Sequence, residues 1–329
     1  MWKYVLKRIL LMLVTFFIIC TICFVLIRIL PRELPTDKVK QEQILARWTA
    51  LGYFEPLPIQ FWIYLKNIFT KWDFGTSWYI EYNKPVTEVL GKRLLPTVLV
   101  NFYSLIVSIP LGIALGIFAA IKKNKWQDHV ISIVVMLFVS IPSYIYAFLV
   151  QYFIFFKLRL INTPTLYSIA DVGFDPDATN AWQAYFTPMM FKSMIMPIVA
   201  LSFGEIAGLC RFTRAELTET LTQDYMLLAR TKGLTKGQAT RRHALKNAMV
   251  PILPMIISSF IGILGGSMII EQIFSIPGVG GLYIQSIQLF DYDVFMLDTI
   301  FYVLIGLLAG IVVDISYGFI DPRIRMGER

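Results

Sequence analysis

Apolar residues in this chain fall into long uninterrupted runs rather than into the alternating pattern of half-buried strands. Six runs stand out, at about 9–30, 96–121, 130–156, 193–210, 248–270 and 294–320. Each approaches the roughly 20 residues an α-helix needs to cross the hydrocarbon of a bilayer. Hydrocarbon cannot satisfy backbone groups, so runs of this length predict spanning helices and an all-α membrane protein with six of them. Pro110, Pro142, Pro197 and Pro254 lie within the runs and predict kinks. Gly112-x-x-x-Gly116, Gly262-x-x-x-Gly266 and Gly306-x-x-x-Gly310 each put two small residues on one helix face, the pattern of close packing within the subunit or against a second one.

The first run follows Lys3, Lys7 and Arg8 and could be read as a cleaved signal. It lacks a small-x-small cleavage site, and Ile19 precedes Cys20 where a lipoprotein box would need a small residue, so a retained signal anchor is expected. Composition agrees with the runs: the 329 residues are 57% hydrophobic and 16% charged, against roughly 45–50% and about 25% in soluble domains. Disorder, collagen and most soluble folds are excluded. Cys20, Cys23 and Cys210 lie in or beside apolar runs without metal-ligand spacing, so neither disulfides nor a metal site is expected.

The net charge of +8 could mark nucleic acid, anionic lipid or membrane orientation. With the N-terminus inside, segments 1–8, 122–129, 211–247 and 321–329 are cytoplasmic and hold 17 of the 30 basic residues but six of the 22 acids. That excess is the positive-inside bias, which places both termini in the cytoplasm. No basic stripe interleaved with aromatics suggests a nucleic-acid partner. On the outer face, segment 31–90 carries seven basic and seven acidic residues and is neutral.

The chain thus divides into an anchor with the first span (1–30), an external segment (31–95) and a core of five spans (96–329). Segment 31–95 is too long to lack structure of its own. Phe61, Trp62, Tyr64, Leu65, Ile68, Phe69 and Trp72 suit a helix lying at the membrane interface, and Val86 to Leu95 reads as a second short amphipathic stretch leading to Pro96. Segment 157–192, with Asp171, Asp175 and Asp177, is a solvated, turn-rich loop. Between the fifth and sixth spans, Pro277-Gly278 followed by Gly280-Gly281 demands a tight turn. We read it as a re-entrant or interfacial turn near the outer mouth of a pathway.

The cytoplasmic stretch 211–247 is the most informative. Leu217, Leu221, Tyr225 and Leu228 recur at helical spacing on an otherwise charged segment. Gly233 has the position of a C′ glycine, and Thr235-x-x-Gln238 has capping-box spacing, so one helix stops and another, running towards Pro251, starts at once. Arg230, Lys232, Arg241, Arg242 and Lys246 surround this elbow. A basic loop resting on anionic lipid would explain the charge but not the paired stop and start signals; a rigid plug for a partner's groove explains both.

Asp224-Tyr225-Met226-Leu227-Leu228-Ala229-Arg230-Thr231-Lys232-Gly233-Leu234, then Arg242-His243-Ala244-Leu245-Lys246-Asn247-Ala248 and Pro251, resembles the cytoplasmic loop of ABC-importer permeases, most closely the B-type subunit of the dipeptide and oligopeptide branch. The Ile27-Arg28-Ile29-Leu30-Pro31 end of the first span, the Phe274-Ser275-x-Pro277-Gly278-x-Gly280 turn and the tail from Asp314 through Asp321-Pro322-Arg323-Ile324-Arg325 extend the likeness over essentially the whole chain. Two departures are evident. Leu227-Leu228-Ala229 stands where the general motif has Glu-Ala-Ala, and Pro31-Arg32-Glu33 stands where the family usually has Pro-Gly-Asp.

The resemblance implies a type I importer permease fold in the bacterial inner membrane. It implies a second, similar permease completing the path, two ATPases docking on the coupling helices, and an extracytoplasmic binding protein that delivers peptide. Coupling would fall to Asp224, Tyr225, Ala229, Arg230, Lys232, Gly233, Leu234, Arg242, His243 and Asn247. No Gly-x-x-x-x-Gly-Lys-Ser/Thr sequence is present, so no catalytic residue or cofactor is expected here, with ATP and Mg held by the partner ATPases.

Ionisable residues inside spans are costly and therefore informative. Arg28 and Asp298 lie near span ends, where snorkelling suffices. Glu205 and Asp314 lie deeper and, with Glu271, are the candidate pathway or intramembrane polar residues, while Pro277, Gly278 and Gly280 form the external turn. Same-branch cargo alternatives are nickel chelates and glutathione. A proton-coupled secondary transporter would want internal repeats and several embedded carboxylates or histidines, but His129 and His243 both fall in loops. No Ser/His or paired-Asp constellation suggests an intramembrane protease.

Overall fold

A computed structural model describes residues 2–30, 34 and 37–320; the Pro31-Arg32-Glu33 departure and the 321–325 tail lie outside them. In chain order the helices are α1 (Trp2–Ile29), α2 (Lys38–Ala50) and α3 (Leu57–Lys71), followed by a two-stranded hairpin, β1 (Thr76–Ser77) and β2 (Lys84–Pro85). Next come α4 (Val86–Ile121), α5 (Trp126–Ser140), α6 (Ser143–Gln151), α7 (Pro188–Thr220), α8 (Asp224–Thr231) and α9 (Lys236–Ala239). The last are α10 (Leu245–Gly262), α11 (Met268–Ile273), α12 (Val279–Gln288) and α13 (Tyr292–Ile320).

Five stretches are long and apolar enough to cross a membrane: Leu6–Ile29, Val86–Ile121, Pro188–Thr220, Lys236–Gly265 and Tyr292–Ser316. The run at 130–156 is not one straight span. Trp126–Ser140 and Ser143–Lys157 meet at 102°, so the expected kink at Pro142 is a break, and a sixth crossing exists only if the bent pair is one. Proline has no N–H and leaves the carbonyl four residues back without a donor. Here the single proton of the Tyr146 hydroxyl is shared between the carbonyls of Phe138 (2.8 Å) and Ile141 (2.6 Å), which makes a clean break tolerable. Pro197, Pro251 and Pro254, in contrast, stay inside continuous helices. The stretch leading to Pro96 is also not separate, because α4 runs through Pro96 and Pro110 for 36 residues.

The chain forms two compact units. The first comprises residues 1–97, 264–268 and 277–308. Its cores join Cys20, Phe24 and Ile27 of α1 to Tyr64, Met296 and Ile300, and Val86, Val89 and Leu90 to Val279, Leu282, Val294 and Leu297. A helix forms over the expected stretch, α3: Gln60 and Tyr64 are buried, whereas Trp62, Phe69 and, just beyond its end, Trp72 are among the most exposed large apolar side chains. α2 and the hairpin had no strong pattern. α2 starts on Asp37, whose carboxylate accepts from Val39 and Lys40 N–H, and Arg47 forks onto Asp73 at 2.6 and 2.8 Å.

Two carboxylates at the start of α13 hold the hairpin. Asp291, 2% exposed, accepts from the Ser77 hydroxyl (2.7 Å) and from the N–H groups of Trp78, Tyr79 and Ile80 at 3.0–3.1 Å. Asp293 accepts from Tyr53 OH (2.8 Å) and Thr76 N–H (3.2 Å). Gly75, at φ +114°, passes so close that an added Cβ would lie 2.5 Å from an Asp293 carboxylate oxygen. Arg28 does not snorkel freely: its guanidinium lies 3.4 Å over the Tyr53 ring. Nor does Asp298, which is fully buried.

The second unit comprises residues 98–263, 269–276 and 309–329. α7 is its centre and packs against α5, α6 and α10. Of the three glycine pairs, Gly112 and Gly116 let α4 meet α7: an added Cβ would lie 3.0 Å from the Ile206 carbonyl oxygen and 2.8 Å from that of Cys210, respectively. Gly262, Gly306 and Gly310 meet no described atom within 4 Å, and Gly266 (φ +62°) lies in a turn outside α10. Segment 157–192 is largely irregular with exposed acids. The Ser168 amide and hydroxyl beside Asp171 hold its carboxyl below its usual range.

Replacing Asp291 with Ala strands four donors that one carboxylate now satisfies. We expect a loss of about 2–4 kcal/mol in local stability, read as faster limited proteolysis between residues 75 and 85; an unchanged cleavage rate would refute the anchor.

Candidate functional site

The elbow forms where the sequence signals it, with one change. α7 ends at Thr220 and α8 begins at Asp224, so the Leu217–Leu228 stripe is cut by a turn and does not run along one helix. The inward residues of α8 are Met226 and Ala229, packed with Ala120, Leu217, Ala239, Ala244 and Ala248. The four alanines at 229, 239, 244 and 248 allow α8, α9 and the start of α10 to close tightly. Leu228, expected on the apolar stripe, instead points outward, and Leu227 and Leu228 are 66% and 55% exposed.

α8 ends as its glycine predicts. Gly233 adopts φ +89°; its N–H donates to Arg230 O (3.0 Å) and the Leu234 N–H to Ala229 O (3.3 Å), the paired bonds of a Schellman motif. The next helix opens with a full capping box: Gln238 N–H donates to Thr235 Oγ1 (3.3 Å) and Thr235 N–H to Gln238 Oε1 (3.0 Å). α9 then passes through a π-helical turn, Thr240–Ala244, into α10. Two short helices are therefore fixed by local bonds where they meet.

Of the residues singled out on this loop, Asp224, Arg230, Lys232, Gly233, Arg242, His243 and Asn247 are exposed, Tyr225 and Leu234 are half-buried, and Ala229 is buried in the elbow's own core. Asp224 occupies the first turn of α8, where the helix dipole favours an acid. Beside α8 runs a groove of about 960 Å³, walled by Ala120, Leu217 and Leu221 and rimmed by Lys123, Lys125, Arg230, Lys236 and Arg241. Sequence reasoning missed the brace behind it. Arg214 of α7 grips Asp128 at the start of α5 with both Nε and Nη2 (2.8 Å for the latter), and Asp128, 1% exposed, also accepts from Asn124 N–H. The two residues are 86 apart in the chain, and no local pattern links them.

The polar span residues are dispersed. Glu205, half-buried midway along α7, accepts from Ser259 Oγ of α10 at 2.6 Å. Asp314 is half-buried in α13 and Glu271 is buried at 3% exposure in α11. The Pro-Gly turn joins α11 to α12: Gly278 and Gly280 are buried, Pro277 is half-buried, and Phe274 and Val279 are fully buried on either side. Leu166 N–H donates to Phe274 O (2.8 Å), and Val279 N–H to Thr97 Oγ1 (2.9 Å).

Several membrane-length helices with a capped, basic elbow between two of them define a multi-span membrane protein. Comparison with known proteins gives the family. Residues 112–326 match the model described as binding-protein-dependent transport system inner membrane component, and residues 1–98 match its N-terminal companion. The dipeptide transport system permease protein DppB of Lactococcus lactis subsp. cremoris is 35% identical over 327 residues, covering 99% of this chain and all of that protein. The glutathione transport system permease proteins GsiC of Salmonella choleraesuis and Shigella flexneri are each 32% identical, covering 99% of both chains. The chain belongs to this family and is a multi-pass, inner-membrane permease of an ABC importer.

Val in place of Gly233 meets no steric neighbour, since no described atom lies within 4 Å of an added Cβ, but it must hold φ +89°. A penalty of about 1–2 kcal/mol is expected, with Asn tolerated better than Val. Faster amide exchange at Leu234 in the Val variant would register it; equal exchange in both variants would contradict the motif's importance.

Proposed function

We propose that this chain is the peptide-translocating permease of its importer, with both termini in the cytoplasm and the elbow as the contact through which an ATPase subunit drives it. The observation that carries the reading is the elbow itself. Two helices locked by a Schellman motif and a capping box move as one piece, whereas a flexible linker would absorb a displacement. Its exposed apolar pair, Leu227 and Leu228, is a docking knob of the kind that seats in a partner's pocket. Lys232, Arg242, His243 and Asn247 are exposed on the same elbow.

The remaining partners follow from the family: a second, homologous permease, two ATPases that bind ATP and Mg, and a binding protein outside the membrane. This chain carries no chemistry of its own. Short peptide is the favoured cargo because the 35% identical relative is named a dipeptide permease. Glutathione, itself a tripeptide, is the second reading, supported by the GsiC relatives. The path runs along α7 and α10, where Glu205 and Ser259 form a polar contact within otherwise apolar helices.

Cells lacking this permease but supplying its partners should regain dialanine uptake with the wild-type chain; recovery of glutathione uptake alone would reassign the cargo. Gly233→Val, or deletion of 224–234, should cut ATP-driven uptake by about tenfold or more, corresponding to at least about 1.4 kcal/mol. Normal uptake with normal ATPase co-purification would remove the coupling role. Cysteine at Lys66 should label from outside and at Lys236 only from inside, and the reverse pattern would invert the orientation.

A further inference from the structure

On the reading that this chain moves peptides, we propose that Glu205 and Arg211 of α7 form a station for zwitterionic short peptides, the carboxylate taking the cargo's α-ammonium and the guanidinium its carboxylate. Both sit on the arc of α7 that the subunit leaves open. Gly204, Arg211, Phe212 and Ala215 are exposed there, and Glu205 and Gly208 are half-buried. At 100° per residue these positions fall within about 120° of the helix circumference, with Arg211 at one edge and Glu205 at the other. Gly208 lies between them, and neither it nor Gly204 has a described atom within 4 Å of an added Cβ. The floor between the two charges is bare backbone.

The neighbouring wall matches. Ser258, Ser259 and Gly262 share one face of α10, Gly262 also opens on empty space, and Ser259 holds one Glu205 oxygen at 2.6 Å. A carboxylate can accept about four hydrogen bonds, so this leaves acceptor capacity free for a cation. Among the described residues neither Glu205 nor Arg211 enters an ion pair, whereas Arg214, one turn below, is gripped by Asp128. Arg211 leans on the Phe212 ring at 5.6 Å and borders a cavity of about 340 Å³ against α5.

Lipid is a poor neighbour for this arc. An acid facing hydrocarbon, as Glu205 would, is costly, while a water-filled path shields it, and Arg211 stands where that path meets the cytoplasmic segment. The spacing then suggests the cargo. Six residues of helix place the two backbone positions about 9 Å apart along the axis, and the long Arg211 side chain must swing across the glycines to bring the charges to the about 7–10 Å that an extended dipeptide or tripeptide spans. Opposite charges at that separation over a glycine floor favour a chain with both termini free.

The test uses the assembled importer in proteoliposomes, given binding protein preloaded with dialanine, N-acetyl-dialanine or dialanine amide. Glu205→Gln should lower the ratio of free to acetylated uptake by about tenfold, and Arg211→Gln the ratio of free to amidated uptake by a similar factor. Glu205→Asp and Arg211→Lys should stay within about threefold of wild type. Equal loss for all three peptides, as packing or pairing with the second permease would produce, overturns the station, and so do unmoved ratios. If the wild type moves no peptide at all, the peptide reading fails and the station with it; intact dialanine uptake with unmoved ratios defeats the station alone.

Discussion

A buried backbone donor or acceptor in an apolar medium must find its partner within the protein, and this constraint decides where the helices run and where they stop. Four interruptions among the described residues have a side chain or a distant amide waiting for them. Tyr146 serves the carbonyls released at Pro142, Tyr302 OH donates to Gly265 O (2.7 Å) beyond α10, and Thr97 receives the first amide of α12. Leu166 supplies the amide for Phe274 at the turn. Breaks occur where the sequence can support them, which explains why Pro142 ends a helix while Pro197 and Pro254 only sit within one.

The same rule works in the polar part of the first unit by a different means. There the hairpin is too short to satisfy itself, having only two paired residues per strand. Asp291 collects three consecutive amides and a hydroxyl, acting as the missing strand would. Gly75 is required because the backbone must come within contact of the second carboxylate, Asp293. A glycine and two acids more than 200 positions apart thus specify one turn.

That separation marks the limit of what the chain discloses when read linearly. Features encoded locally were legible: five of the six span-length runs, the α8 stop at Gly233, the Thr235–Gln238 start and the helix α3. Features encoded by pairs far apart were not. Asp128 reads as one more loop acid until Arg214 is beside it, and α2 has too few apolar positions to declare itself, with Ile44 its sole buried side chain. Leu228 misled because it fits a helical spacing with Leu217 and Leu221 that the turn at 221–223 interrupts. For the candidate site the elbow's form could be foreseen, but its buried and outward faces could not, since these depend on which residues the ends of α4 and α7 cover.

The close approach of α4 to α7 bears on how motion can pass through this subunit. At Gly112 and Gly116 the two helices touch backbone to backbone, with room for no side chain between them. Surfaces cut so closely have a single seating, because sliding by a fraction of a turn would drive Leu209 or Thr213 into the opposing main chain. The two helices are therefore held in one register at this contact. Under the proposed coupling role, a displacement entering where α7 leads into α8 would carry the adjoining stretch of α4 with it, and the break at Pro142, where the flanking helices already meet at 102°, is a joint at which no continuous helix has to bend.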